Sequence, residues 1–276
     1  MTSEPLLVID KLEVAVASNP HPKPLVRGVS LAVHAGEVLG LIGESGSGKS
    51  MTCLSVMRLL PNSVHRVGGR VLVDGSEMFA RGRDVGMVMQ NPASCFDQVM
   101  TIEGHFRETL AAHGVPWITG RPRALESLRE AGFDEPASIL PAYPFQLSGG
   151  MLQRVMIALA MVLRPKLLLA DEPTTDLDMP AQARVLDLLD RLRQTHNLGI
   201  LLVTHDLSVV ARLADTVAVM HGGVILETGP VLSIFEAPAH EYTRKLLAAH
   251  FNLHDALSAQ APDRDERMAN AGEWAA

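Results

Sequence analysis

The sequence feature that most constrains the fold of this chain is the run Gly43-Glu44-Ser45-Gly46-Ser47-Gly48-Lys49-Ser50. It follows a short apolar stretch, residues 37–42, and precedes residues 49–60, which we expect to form a helix. This spacing is typical of a loop in which backbone N–H groups and a helix N-terminus surround a phosphate. In such a loop Lys49 reaches the β- and γ-phosphates, and the Ser50 hydroxyl ligates Mg²⁺. The alternative is a glycine-rich turn that binds nothing.

A second run, residues 167–172, ends in two adjacent acids, Asp171 and Glu172. Its apolar part predicts a buried strand that delivers both carboxylates to the edge of a sheet where α/β folds bind ligands. We expect Asp171 to hold Mg²⁺ and Glu172 to act as the general base for water. Because neighbouring side chains on a strand point to opposite faces, the chain must turn at Glu172 for both to serve.

Strand-like and helix-like segments alternate along the rest of the chain. Residues 101–163 have a helical pattern, which we expect to break at 114–116, 120–122 and 141–144. Shorter apolar runs predict strands at positions that include 69–74 and 85–90. This alternation predicts an α/β fold with a mainly parallel sheet.

Composition excludes several classes of protein. A net charge of -7 gives no basic footprint, so we expect no nucleic-acid partner. Two cysteines, Cys53 and Cys95, provide neither a disulfide framework nor a metal quartet. The longest apolar run, residues 155–163, is too short to span a bilayer, so any membrane association is expected to go through a partner.

One further motif indicates the family. The run Leu147-Ser148-Gly149-Gly150-Met151-Leu152-Gln153-Arg154 resembles the signature motif of ATP-binding cassette (ABC) proteins, with Met151 where many members have Gln. The resemblance covers residues 6 to about 249. It implies that Ser148, Gly149 and Gly150 contact the γ-phosphate of ATP that is bound by the opposite subunit. Ser148 can also cap the helix that follows it, and capping does not compete with this role.

The resemblance extends to other positions between and after these motifs. Gln90 resembles the glutamine that touches Mg²⁺ and water, and we count it among the catalytic residues with Glu172 and His205. The run 175–178 resembles a loop that crosses the dimer interface. His205 resembles the switch histidine that contacts the γ-phosphate. The family usually has an aromatic side chain near Val16 that stacks on adenine; here none is present, and His21 is a weak substitute.

The resemblance implies a P-loop ABC ATPase fold with an antiparallel β subdomain and an inserted helical subdomain at about 91–163. We expect the nucleotide-binding domain to cover residues 1–235. Residues 236–276 are expected to be a C-terminal helical extension with a disordered tail from about residue 258. The implied cofactors are ATP and Mg²⁺.

Several segments, including residues 89–92, 107–110 and 240–247, resemble the peptide and nickel importer branch of the family. That branch implies a second ATPase subunit in a heterodimer, two transmembrane permeases and, indirectly, a periplasmic solute-binding protein. The expected location is the cytoplasmic face of the inner membrane, as a peripheral protein. The cargo is expected to be nickel, free or chelated. The alternatives are a peptide importer and a soluble ABC protein that does not transport.

Overall fold

The computed structural model describes residues 4–17 and 22–259. These residues form strands β1 to β9 in chain order, which are Leu7–Val16, Lys23–Val33, Val38–Ile42, Val64–Val73, Val85–Val88, Leu167–Asp171, Gly199–Thr204, Thr216–His221 and Val224–Pro230. They also form helices α1 to α9, which are Lys49–Val56, Ile102–Ala112, Trp117–Glu130, Pro136–Ile139, Gly149–Met161, Met179–His196, Leu207–Leu213, Val231–Glu236 and Glu241–Ala259.

The central sheet has six strands in the order β5-β6-β7-β3-β8-β9. All neighbouring pairs are parallel except β8 and β9, which are antiparallel. Every residue of β3, β6 and β7 is buried, which explains why these strands read as unbroken apolar runs. Their carboxyl ends meet at one edge of the sheet, where the polar loops that follow them converge. The predicted α/β fold is therefore confirmed.

A separate antiparallel sheet, in the order β2-β1-β4, packs against the other side of α1. It is the expected antiparallel β subdomain, but β4 is longer than we predicted, since it begins at Val64 instead of residue 69. Strand β2 begins at Lys23 although the next residue is Pro24. A proline is tolerated there because β2 lies at the edge of its sheet, where a missing N–H costs no ladder hydrogen bond.

Helices α2 to α5 lie between β5 and β6 in the chain, as expected for the inserted helical subdomain. The predicted break at 120–122 is wrong, since α3 runs through Gly120 and Pro122. A Cβ at Gly120 would lie 2.6 Å from Leu110 Cδ1, so this glycine allows close packing of α3 on α2. Helix α1 ends at Val56, earlier than expected, because Arg58 takes a left-handed conformation with φ of 54°.

The chain ends with α8 and α9, which follow β9. Helix α9 continues to Ala259, slightly past the point where we expected order to end. The remainder of the expected tail, residues 260–276, lies outside the described residues, as does His21. The domain boundary at residue 235 stays a prediction.

Candidate nucleotide-binding site

The predicted phosphate loop connects β3 to α1, and two of its glycines are required by their surroundings. Gly43 has φ of 153°, and a Cβ on it would lie 2.1 Å from the carbonyl oxygen of Met220. Gly48 is the N-cap of α1 with φ of 109°, and a Cβ there would lie 2.7 Å from Met220 Cε. Neither site accepts a side chain, so the sequence keeps the loop tight and its backbone N–H groups accessible.

Lys49 lies at the first residue of α1 and is almost fully buried. Its Nζ donates hydrogen bonds to the carbonyl oxygens of Gly43, at 2.7 Å, and Glu44, at 2.9 Å. Burial lowers the pKa of Lys49, while the nearby carboxylates of Glu172 and Asp171 act in the opposite direction. The ammonium group is thus held inside the loop, where a phosphate would compensate its buried charge.

The residues expected to bind Mg²⁺ meet across two elements. The Ser50 hydroxyl on α1 donates a hydrogen bond to Asp171 Oδ1 at the end of β6, at 3.1 Å. Burial raises the pKa of Asp171; the Ser50 hydrogen bond lowers it in part, and the adjacent Glu172 raises it further. A hydroxyl and a carboxylate are hard oxygen donors of the kind Mg²⁺ prefers, and a cation here would stabilise the buried carboxylate. The donor set therefore fits Mg²⁺.

Glu172 follows Asp171 in a left-handed conformation, with φ of 51°. This is the turn that we predicted, and it brings both acids to the same edge of the sheet. Glu172 Oε1 lies 2.7 Å from His205 Nδ1. Glu172 Oε2 accepts hydrogen bonds from Thr175 Oγ1, at 3.0 Å, and Thr204 Oγ1, at 3.3 Å. The carboxylate is therefore fixed in position through both oxygens.

His205 lies directly after β7, and its side chain is 61% exposed. Its Nδ1 faces Glu172, so the remainder of the ring is directed toward solvent at the site. Thr204, the last residue of β7, is buried and also supports Glu172. The sequence analysis gives Thr204 no role, because a hydrogen bond between residues 32 positions apart leaves no local signal in the sequence.

These groups surround one cavity of about 760 Å³. Its wall contains Glu172, His205 and Gln90. Gln90 lies two residues after the end of β5, and its side chain is exposed. From the predicted loop it contains Gly43, Glu44, Ser45, Gly46, Gly48, Lys49 and Ser50. Ser47 does not contribute to the wall, since it is turned inward and buried. Asp171 is not among the residues that line the cavity, but it accepts a hydrogen bond from Ser50, which does line it.

The apolar part of this wall is formed by Leu25, Met51, Pro61, Val64 and Leu246. Val16, which we expected nearest to adenine, is not part of it, but Val64 is its cross-strand neighbour. No Phe, Tyr or Trp occurs among the lining residues that the structure describes. Sequence reasoning missed these apolar residues because they come from distant parts of the chain with no shared motif.

The signature motif lies in a different place. Ser148, Gly149 and Gly150 line a second pocket, of about 340 Å³, with residues 176–178. Ser148 is the N-cap of α5, and its Oγ accepts a hydrogen bond from the N–H of Met151 at 3.3 Å. The two pockets share no lining residue. A single chain therefore does not bring the signature serine to its own phosphate loop.

Metal-binding clusters and membrane-spanning helices are both absent from the residues that the structure describes. No three or more His, Cys, Asp or Glu side chains are grouped there so that they could hold a metal ion. No helix in that part of the chain has the length and apolar character needed to cross a membrane.

Comparison with known proteins finds a matching family model and several similar chains. Residues 26–175 match the family model described as ABC transporter. A protein of Rhodospirillum rubrum named nickel import ATP-binding protein NikD is 49% identical over 251 residues, which covers 90% of this chain and 96% of the relative. Proteins of the same name from Brucella abortus and Pseudomonas putida are 47% and 48% identical over 90% and 82% of this chain.

Solved structures have the same fold. The cbiO1 subunit of Clostridium perfringens, described as part of the ABC transporter complex cbiONQ, superposes with a TM-score of 0.71 at 23% identity, covering 93% of this chain and 100% of that one. An ATP-binding cassette solved as a dimer in a post-hydrolysis state with ADP and Pi superposes with a TM-score of 0.70 at 25% identity. That match covers 82% of this chain and 98% of the other.

Proposed function

Because the chain belongs to the ABC transporter family and is an ATP-hydrolysing subunit of it, we propose that it powers the import of nickel, as the free ion or as a chelate. The single observation that carries this proposal is the likeness to nickel import ATP-binding proteins, which extends over nine-tenths of the chain. The ATP site itself is shared across importers of many cargoes, so it does not distinguish nickel from peptide.

We assign the chemistry of ATP hydrolysis to the groups that meet at the cavity. Lys49 and the loop amides bind the β- and γ-phosphates, and Ser50 and Asp171 hold Mg²⁺, with Gln90 as a further ligand. When bound by these residues, Mg²⁺ would supply positive charge that offsets the charge developing on the phosphates. Glu172, fixed by three neighbours, accepts the proton of the attacking water. His205 orients Glu172 and contacts the γ-phosphate.

The active unit in this proposal contains two nucleotide-binding subunits. The separation of Ser148 from the phosphate loop within one chain supports this, because the signature serine must then serve the ATP of another subunit. ATP joins the two subunits, and hydrolysis removes the γ-phosphate contact and lets them open. We propose that the second subunit is a different ATPase, so that the pair is a heterodimer.

ABC ATPase subunits of importers work with membrane permease components. We propose two permeases here, docked against the helical subdomain near Gln90, and a periplasmic solute-binding protein that reaches this chain only through them. The chain would then sit on the cytoplasmic face of the inner membrane as a peripheral protein. We expect the external binding protein to hold the nickel.

A peptide importer ATPase is the nearest alternative. The same branch of the family serves both cargoes, and relatives in peptide importers often carry a cysteine cluster after the segment at 240–247. This sequence has no cysteine beyond Cys95, which favours nickel.

Deletion of the gene tests the cargo. Cellular nickel and the activity of a nickel enzyme such as urease should fall, and added nickel should restore both. A plasmid that carries the wild-type gene should rescue uptake, whereas the matched plasmid with Glu172→Gln should not. Normal nickel uptake together with failure to grow on a peptide source would replace nickel with peptide as the cargo.

A further inference from the structure

Helix α9 presents one face to the ATP cavity. Tyr242, Leu246 and His250 are spaced four residues apart, so they lie in a row along one side of the helix. Leu246, in the middle of this row, is part of the cavity wall together with Lys49, Glu172 and His205. The C-terminal extension therefore contributes directly to the nucleotide site.

The first turn of α9 lies beside the phosphate loop. The ring of Tyr242 packs on the ring of His221, at the end of β8, with 4.2 Å between ring centroids. Burial raises the pKa of the Tyr242 phenol, and the carboxylate of Glu44 is close enough to affect it as well. Tyr242 thus links the end of β8 to the second residue of the loop.

The third turn of α9 lies near the end of β7. Burial raises the pKa of Asp206, but hydrogen bonds from Ser208 and Gln182 and the charge of His250 lower it overall. His250 is therefore close to the residue that follows His205. Since β3 lies between β8 and β7 in the sheet, the row passes over the end of β3, where the phosphate loop begins.

The contacts that hold α9 on the domain are concentrated near its first two turns. Glu227 on β9 accepts hydrogen bonds from the N–H groups of Ala239, at 2.7 Å, and His240, at 3.0 Å, which anchor the start of the helix. Thr243 and Leu247 are buried, whereas Tyr242 and Leu246 are only partly buried. Within residues 241–250, the part of α9 whose side chains the structure describes, only Thr243 and Leu247 are fully buried, so this segment can detach at a modest cost in free energy while the domain stays folded.

We propose that α9 is a strap across the mouth of the ATP cavity, which opposes nucleotide binding in the isolated chain and moves away when a second subunit closes over the γ-phosphate. The inference rests on the proposed two-subunit site. An apolar leucine cannot stabilise phosphate charge, whereas a serine hydroxyl and amide N–H groups can. The strap therefore holds the cavity in a state that is less suited to ATP until the signature motif of the other subunit replaces it.

The first test measures equilibrium binding of the ATP analogue AMP-PNP with Mg²⁺ to the isolated full-length chain. Leu246→Ala should tighten binding by roughly threefold or more, because a larger fraction of molecules is then competent to bind. The matched control is Lys245→Ala on the same helix, where the side chain is 73% exposed and pairs with Glu241; its affinity should equal that of wild type. Unchanged or weaker binding by a folded Leu246→Ala protein overturns the proposal.

The second test needs no substitution in α9. The transporter is purified through an affinity tag on this chain carrying Glu172→Gln, and amide hydrogen exchange of residues 241–250 is followed with and without Mg-ATP. Exchange should become roughly tenfold faster when ATP is retained, because the strap is released. Retained ATP with unchanged protection of 241–250 overturns the proposal. If the complex retains no ATP, the role proposed for Glu172 fails instead, and the AMP-PNP measurement still decides whether the strap exists.

Discussion

At the scale of single residues, the candidate site contains two neighbouring carboxylates for which we propose different roles. Asp171 is the last residue of a strand, and Glu172 is the first residue of the turn that follows. The left-handed conformation of Glu172 costs about 1 kcal/mol. That cost is offset by the contacts that the turn makes possible, since His205, Thr175 and Thr204 then all reach the carboxylate.

Glu172→Gln should leave ATP binding intact and lower hydrolysis by roughly 100-fold or more, because the amide has the same shape but cannot accept the proton. Single-turnover hydrolysis of labelled ATP measures the effect. Glu108→Gln, at an exposed position on α2, is the matched control and should keep wild-type turnover. Near-normal hydrolysis by the Glu172→Gln protein would show that another group activates the water.

Asp171→Asn should stabilise the protein in the absence of nucleotide and Mg²⁺ while it abolishes hydrolysis. Burial raises the pKa of Asp171, so the charged form is disfavoured in the folded state and destabilises it above that pKa. The gain in free energy of unfolding should be about 1 kcal/mol near pH 7. It should shrink as the pH falls through the folded-state pKa, because the wild-type carboxyl then becomes neutral.

Urea unfolding of both proteins across this pH range measures the difference. Glu108→Gln again serves as the control and should change stability little at any pH. If Asp171→Asn is less stable than wild type at pH 7, burial of the charged carboxylate does not destabilise the folded protein.

At the scale of elements, the start of α5 combines an observed helix cap with the ligand-binding role that we propose for Ser148. Ser148 caps α5 through Met151 N–H, as Thr101 caps α2 through Gly104 N–H at 3.2 Å. The two caps have the same geometry, but only the first is followed by two glycines. Gly150 is needed because a Cβ there would lie 2.9 Å from Ala181 Cβ on α6. The glycines thus keep the start of α5 close to α6 and open to a ligand.

Ser148→Ala and Thr101→Ala should each destabilise the protein by about 1 kcal/mol, the usual cost of losing such a cap. Only Ser148→Ala should also reduce ATP turnover by the assembled transporter, because only Ser148 serves a phosphate. Thermal unfolding of the isolated chain and ATPase assays of the complex separate the two effects. Equal loss of turnover in both variants would reduce the role of Ser148 to helix capping.

At the scale of the whole molecule, the two halves of the ATP site lie in separate pockets of one chain. The first pocket has the phosphate loop, the carboxylates and His205, and the second has the signature motif and the loop at 176–178. The central strands β3, β6 and β7 are fully buried, which opposes a rearrangement that would join the two pockets within one chain. We therefore expect the site to be completed by association with another subunit.

Glu172→Gln should therefore accumulate an ATP-dependent dimer of nucleotide-binding subunits, because the γ-phosphate that joins them is not removed. Light scattering of the subunits released from the purified transporter, with and without Mg-ATP, measures the change in mass. Wild type should return to monomers as ATP is consumed, and Lys49→Ala should stay monomeric throughout. A Glu172→Gln protein that stays monomeric with bound ATP would contradict the two-subunit site.

The sequence by itself determined the class of fold, and it predicted which residues would meet at the candidate site. Phosphate binding needs a fixed run of glycines followed by Lys49 and Ser50, and this run is local, so it can be read without a structure. The pair Asp171 and Glu172 is also local in the sequence. Because neighbouring side chains on a strand point to opposite faces, the sequence predicted a turn at Glu172, and the structure has one there with φ of 51°. Long apolar runs likewise predicted the buried parallel strands, because burial on both faces removes the alternation of polar and apolar residues.

Only the tertiary structure decided the features that depend on contacts between distant segments. Helix α3 continues through Gly120 and Pro122 despite their low helix propensity, and at Gly120 the missing side chain allows close packing on Leu110. The apolar wall of the cavity combines Leu25, Val64 and Leu246, which no short motif connects. The position of α9 over the phosphate loop follows from its docking on β9 and β8. Such contacts are set by the shape of the packed core, and a linear pattern of residues carries little information about it.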